Sequence, residues 1–378
     1  MKKLLLFFTI FTTVNCAFAQ LNTDGNGYYY RVQNSVTKRY IRIIDNKGDV
    51  STSTTEVDLN ALETIKNFDE VVSDPATIVY ISVKKTGTST IWEVKEMAAQ
   101  GTKVDNIFKY DNAQVSVLDN KNGTYRVYGK YSGMTKYLCD ENTNFPFGAV
   151  VTSGNNTRNW YIKPVNQEEE QYFALTPTVT AEGNHYSTIY AAFPFTLPAG
   201  MTAYYVSIVD GNQAVWKEVK DGKVPASTPV YVKCKSENYA DNKVVLGSNG
   251  ASSLSGNLLK GVYFCNDTED YHRNILAYNP KTMRVLGTMS NGKLGFITDD
   301  ELDFIPANTV YLTVPANSPR EIKLVSESEY DTAIDDVIDD TNLSYKLYNL
   351  QGVELEQPQK GINIMLFENG TAKKVMVK

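Results

Sequence analysis

The chain has 378 residues, 42% hydrophobic and 21% charged, which suits two folded domains with a small appendage and excludes a disordered protein. Its net charge of −6, with no basic tract, argues against binding the phosphate backbone of a nucleic acid. Twenty-five tyrosines against two histidines favour pleated, half-buried sheet over histidine chemistry.

Lys2 and Lys3 open the chain, Leu4 to Phe11 are apolar apart from Thr9, and Ala17-Phe18-Ala19 puts small residues at the two positions read for cleavage. This predicts a secretory signal peptide over residues 1–19, cut between Ala19 and Gln20. An N-terminal buried helix would need an amphipathic pattern, which is absent. Val14-Asn15 ahead of Cys16 lacks the approach of a lipoprotein site. No later stretch approaches the roughly 20 apolar residues of a membrane span. The mature chain is therefore expected to be exported, either secreted or on the outer cell surface, with the periplasm as the alternative.

Residues 20–166 carry a weak internal repeat. Tyr30-Arg31-Val32 with Thr37 to Ile41 recurs as Tyr125-Arg126-Val127 with Thr135 to Leu138. Ile91-Trp92-Glu93-Val94 and Asn159-Trp160-Tyr161-Ile162 resemble each other as segment ends, and a middle copy is expected from Thr77-Ile78-Val79-Tyr80. One helix is predicted from Asp58 to Val72, capped by Asp58, with Leu59, Leu62 and Ile65 on one stripe. Three copies of about 40 residues suggest pseudo-threefold packing. The third copy, with Tyr125-Arg126-Val127, Lys136 to Asp140 and Asn159 to Ile162, resembles the ricin-type β-trefoil family. The likeness implies a β-trefoil-like domain. It also implies a sugar site in the third copy, with Asp140 as the hydrogen-bonding acid and Asn144 and Asn156 within reach of the same pocket.

Glu168-Glu169-Glu170 marks a solvated join, and a second β region is expected over residues 171–325. Hairpin pairs recur along the chain at Asn122-Gly123, Asp210-Gly211, Asp221-Gly222, Asn291-Gly292 and Asn369-Gly370. With so many strands and almost no helical period, two packed sheets bury the apolar faces, which predicts a β-sandwich. Phe193-Pro194-Phe195, Leu197 to Gly200 and Gly295-Phe296-Ile297 resemble uncharacterised exported proteins of Bacteroidetes-type bacteria, which implies no activity.

Residues 326–341 are an acidic linker, and residues 342–378 form a small C-terminal β module. Tyr345 to Val353, Lys360-Gly361-Ile362 and the terminal Lys374-Val375-Met376-Val377-Lys378 resemble the type IX secretion sorting module of the same bacteria. That likeness implies a partner in the export machinery. The alternative is an appendage without targeting meaning. Asp331-Thr332-Ala333 resembles a Bacteroidetes O-glycosylation site, with Thr332 as the acceptor.

After cleavage three cysteines remain. Cys234 and Cys265 can form a bridge in an oxidising compartment, or all three are small buried hydrophobes. No CxxC occurs, and two histidines do not make a zinc cage, so no metal or cofactor is expected. Neither a phosphate loop, a nucleophile elbow nor HExxH is present, and no catalytic residue is assigned. His185, in Asn184-His185-Tyr186, reads as a hydrogen-bonded surface residue. The expectation is an all-β, exported, non-catalytic binding protein that meets a glycan or glycoprotein surface. The alternatives are an adhesin-like structural protein and a glycoside hydrolase, which needs only two spaced carboxylates.

Overall fold

The computed structural model describes residues 21–41, 68–84, 91–99, 116–131, 134–140, 156–262 apart from 169, 192, 248 and 249, 276–330, and 344–377 apart from 369 and 371. The signal peptide with Ala19 and Gln20, most of the predicted helix, Asn144, Cys265 and Thr332 lie outside them. The architecture is almost all β and comprises several sheets.

The first region is a closed barrel. Its strands are β1 (Asp24–Asn34), β2 (Val79–Lys84), β3 (Ile91–Ala99), β4 (Ser116–Asp119), β5 (Tyr125–Tyr131), β6 (Met134–Tyr137) and β7 (Trp160–Pro164). They run in the order β4-β3-β2-β1-β7-β5-β6, and β4 pairs back onto β5 to close a six-stranded, antiparallel ring with β6 outside it. Two strands from each of three copies is the barrel of a β-trefoil. Period-2 alternation sends Tyr30, Val32, Ile81, Val83, Val117, Tyr125, Val127, Trp160 and Ile162 into one core. Tyr30 and Tyr125 are equivalent in detail, since each buried hydroxyl accepts an N–H from the N-terminal segment, of Asn22 at 3.0 Å and of Leu21 at 3.3 Å.

The middle copy differs from the expectation. Val79 pairs with Tyr30 as Trp160 pairs with Tyr125, so Val79–Lys84 closes the first copy. Strand β3, with Trp92, then opens the second copy, and Trp92 is not the counterpart of Trp160. Likeness of letters misled here, because the repeat is defined by which residues pair across the barrel. Of the predicted helix, the turn Phe68–Val71 lies within the described residues and is helical.

The second region holds β8 (Val179–Ala181), β9 (Asn184–Ile189), β10 (Phe195–Thr196), β11 (Thr202–Asp210), β12 (Gln213–Glu218), β13 (Lys223–Val224) and β14 (Val230–Cys234). It continues with β15 (Val245–Leu246), β16 (Leu259–Gly261), β17 (Met283–Thr288), β18 (Leu294–Ile297), β19 (Val310–Thr313) and β20 (Glu321–Val325). Ten of these form one sheet, β16-β19-β17-β18-β20-β12-β11-β14-β9-β8, joined at its middle by the parallel pair β12–β20. The sheet curls until its halves face each other, and Thr288 Oγ1 donates to Thr180 O at 2.8 Å across the closing gap. Between the halves lies a core that takes Val206 and Tyr231 from one side and Phe296, Leu312 and Ile322 from the other. The sandwich is thus largely one folded-over sheet. A separate three-stranded sheet, β13-β10-β15, covers the outer face through Phe195, Val224 and Leu246. The Asp221-Gly222 turn has positive φ at both residues, 63° and 61°, as a tight turn of that sequence requires.

Glu168 and Glu170 are exposed, as expected of the join, but the chain turns back at once. Asn166 N–H donates to Gln171 O at 3.0 Å, and Phe173 and Leu175 then enter a core that also contains Ile78 and Val165 of the barrel. Arg31 of β1, fully buried, ties the regions together. Its guanidinium donates to Thr77 Oγ1 (3.0 Å), Tyr172 O (2.7 Å), Val71 O and Val72 O (both 3.1 Å), and lies over the Phe68 ring. Burial lowers its pKa to about 10, so it stays charged at neutral pH.

The C-terminal module comprises β21 (Tyr345–Asn349), β22 (Glu354–Leu355), β23 (Gly361–Phe367) and β24 (Ala372–Val377), in the order β22-β21-β23-β24. It has its own small core of Leu347, Met365, Phe367 and Val375. Buried Asn363 pins the preceding loop through Gln359, accepting its N–H at 3.0 Å and donating to its carbonyl at 2.6 Å.

Candidate functional site

Among the described residues, a lined cavity lies in the second region. Alternation along β11, β14 and β9 sends Val230, Val232 and Ala203 to the outer core and turns Tyr204, Tyr231 and Tyr186 the other way. Tyr204 and Tyr231 are direct cross-strand partners, stacked with ring centroids 5.2 Å apart at 23°. Trp216 on β12 stands edge-on to Tyr204 at 5.2 Å and 83°. With Leu294 and Leu324 from the opposite half of the sheet, these rings line a cavity of about 330 Å³, at the lower end of the size range of small-molecule sites. Lys233, Lys293, Lys323, Glu182 and Glu329 form its charged margin.

Burial raises the phenol pKa of Tyr186 and Tyr204, and raises that of Tyr231 well above the ordinary value. All three therefore stay protonated near neutral pH, with Tyr231, 2% exposed, backing the Tyr204 ring, and none is a general base. Glu329 is held below the usual carboxylate range, first by the Ser326 N–H that its Oε2 accepts at 2.8 Å. Ser326 Oγ accepts the Glu329 N–H at 3.2 Å in return, a capping box that fixes this carboxylate at the start of a helical turn. The arrangement suits stacking and hydrogen bonding.

Asp140, expected as the hydrogen-bonding acid of a sugar site, is only 1% exposed. One oxygen accepts Arg39 Nε–H at 2.8 Å and the Thr37 hydroxyl, and the other pairs with Arg39 Nη2. Thr37 and Arg39 belong to the first copy, so Asp140 ties the first copy to the third. Asn156 begins the 3-10 turn Asn156–Arg158 ahead of β7, and Asp140 N–H donates to Thr157 O of that turn at 3.1 Å, so Asp140 and the Asn156 turn are neighbours, while Asn144 lies outside the described residues. Cys234 is a free, buried thiol whose Sγ–H points to Val232 O at 3.9 Å, and burial pushes its pKa up to about 12. His185 Nδ1 sits 3.2 Å from Thr180 Oγ1 across β8–β9. Among the described residues no cluster of three or more His, Cys, Asp or Glu is gathered to hold a metal.

In the sequence Tyr186 stands out only as a neighbour of His185, and nothing local joins it to Tyr204, Trp216 and Tyr231. The available signal was a set of aromatics placed at alternate positions on polar-flanked strands, but four separate strands had to be registered before it became a site. No protein-family model matches the chain, and neither a curated protein nor a solved structure is detectably similar to it.

Proposed function

We propose that the chain is an exported, non-catalytic glycan-binding protein whose sugar site is the Tyr204–Trp216–Tyr231 cavity, with the trefoil barrel as its scaffold. The observation that carries this reading is the half-exposed Trp216 ring beside the stacked tyrosines at the mouth of an open cavity. Sugars present an apolar ring face with hydroxyls around it, and aromatic rings with neutral phenols complement both. The leader and the C-terminal module support export, the latter through its likeness to a sorting signal. No helix among the described residues is long and apolar enough to cross a membrane. Engagement of both Asp140 oxygens within the protein supports a scaffolding role for the third copy.

A glycan array probed with the mature chain tests the reading. Bound sugars should lose about tenfold or more in affinity on Trp216→Ala, the loss of roughly 1.4 kcal/mol or more of ring contact. The Trp216→Tyr variant should retain most of the binding, which separates ring stacking from a folding defect. Unchanged binding by the Trp216→Ala chain would remove the cavity from the account.

A further inference from the structure

The margin of the cavity specifies the charge of its ligand. Lys233 on β14, Lys293 just before β18 and Lys323 on β20 come from both halves of the curled sheet and meet at one opening. Among the described residues none of the three has a carboxylate within ion-pair distance, although neighbouring Lys217 pairs with Glu327 at 2.7 Å. Three ammonium groups against the carboxylates of Glu182 and Glu329 leave the margin with one positive charge in excess. Glu329 is committed to the Ser326 cap, and Lys323 and Lys293 already act on it electrostatically. Glu182 sits at the tight β8–β9 turn, where its own φ is 51°. A bound anion neutralises that excess positive charge beside buried aromatic surface. In a chain of net charge −6 such a cluster is a local reversal of sign.

We infer that the cavity takes an acidic glycan, a sugar bearing a carboxylate or sulfate, with its ring against Trp216 and Tyr204 and its anionic group among Lys233, Lys293 and Lys323. The inference rests on the sugar-site reading above. An ammonium–anion hydrogen bond is stronger than a neutral one, so charge sets selectivity while the rings set general affinity.

Calorimetric titration of the full mature chain with length-matched neutral, uronic-acid and sulfated oligosaccharides tests it. At least one acidic ligand should bind tighter than the neutral one by about tenfold, and the advantage should shrink as salt shortens the screening length to roughly 3 Å near 1 M. The two acidic arms identify whether carboxylate or sulfate is preferred. The triple variant Lys233→Gln, Lys293→Gln, Lys323→Gln should cost the acidic ligand about a hundredfold and the neutral one about threefold at most, two lost charge-assisted contacts being sufficient for the difference. Single substitutions at the exposed Lys293 and Lys323 give the same test should the triple variant fold poorly. Equal affinity for neutral and acidic sugars, or an acid preference that survives these substitutions, overturns the inference and leaves the sugar site standing. Absence of binding to all three ligands, or indifference of binding to Trp216→Ala, overturns the sugar-site reading and the inference with it.

Discussion

Asp140→Ala lowers the unfolding free energy of the mature chain by about 3–5 kcal/mol, the cost of stripping a buried guanidinium of its carboxylate. The family resemblance implied a different role, an acid that hydrogen-bonds a sugar. At 1% exposure, with Arg39 and Thr37 on its oxygens, Asp140 belongs to the interior of the barrel. Urea titration of the single variant reads the loss. The double variant Arg39→Met, Asp140→Leu should recover much of it, since apolar replacement removes both buried charges together. A loss below about 1 kcal/mol in the single variant would mean that the pair is solvated and that Asp140 is available to a ligand.

Arg31→Met costs about 3 kcal/mol, because it removes the buried charged donor from the Tyr172, Val71 and Val72 carbonyls at the junction of the two regions, although the Asp74 and Ala174 N–H groups still reach the Val71 and Val72 carbonyls. Arg31→Lys should not rescue the loss. A single ammonium cannot reproduce a planar fork that reaches four acceptors in different directions. Full thermal stability in the lysine variant would show that charge alone, not the fork, holds the barrel against the sandwich.

The sequence made some features plain and hid others. Tyr30-Arg31-Val32 and Tyr125-Arg126-Val127 announced a repeat because equivalent barrel strands need the same alternation, and both tyrosines occupy one layer of the core. Asp221-Gly222 announced a tight turn because few residues accept positive φ. The role of Val79 as partner of Tyr30 was hidden, since valine carries no trace of the tryptophan that fills the same place in the third copy. The burial of Asp140 was equally hidden, because its partner Arg39 lies 101 residues earlier and meets it only when the barrel closes. The aromatic cavity depends on a sheet folding back on itself, an arrangement that local pattern does not encode.

A crystal structure of the mature chain soaked with the tightest-binding acidic oligosaccharide tests the central claim most directly. The account predicts a sugar ring against Trp216 and Tyr204, with its anionic group within hydrogen-bond distance of Lys233, Lys293 or Lys323. A sugar ordered on the third trefoil copy beside Asn156, with the aromatic cavity empty, would contradict it.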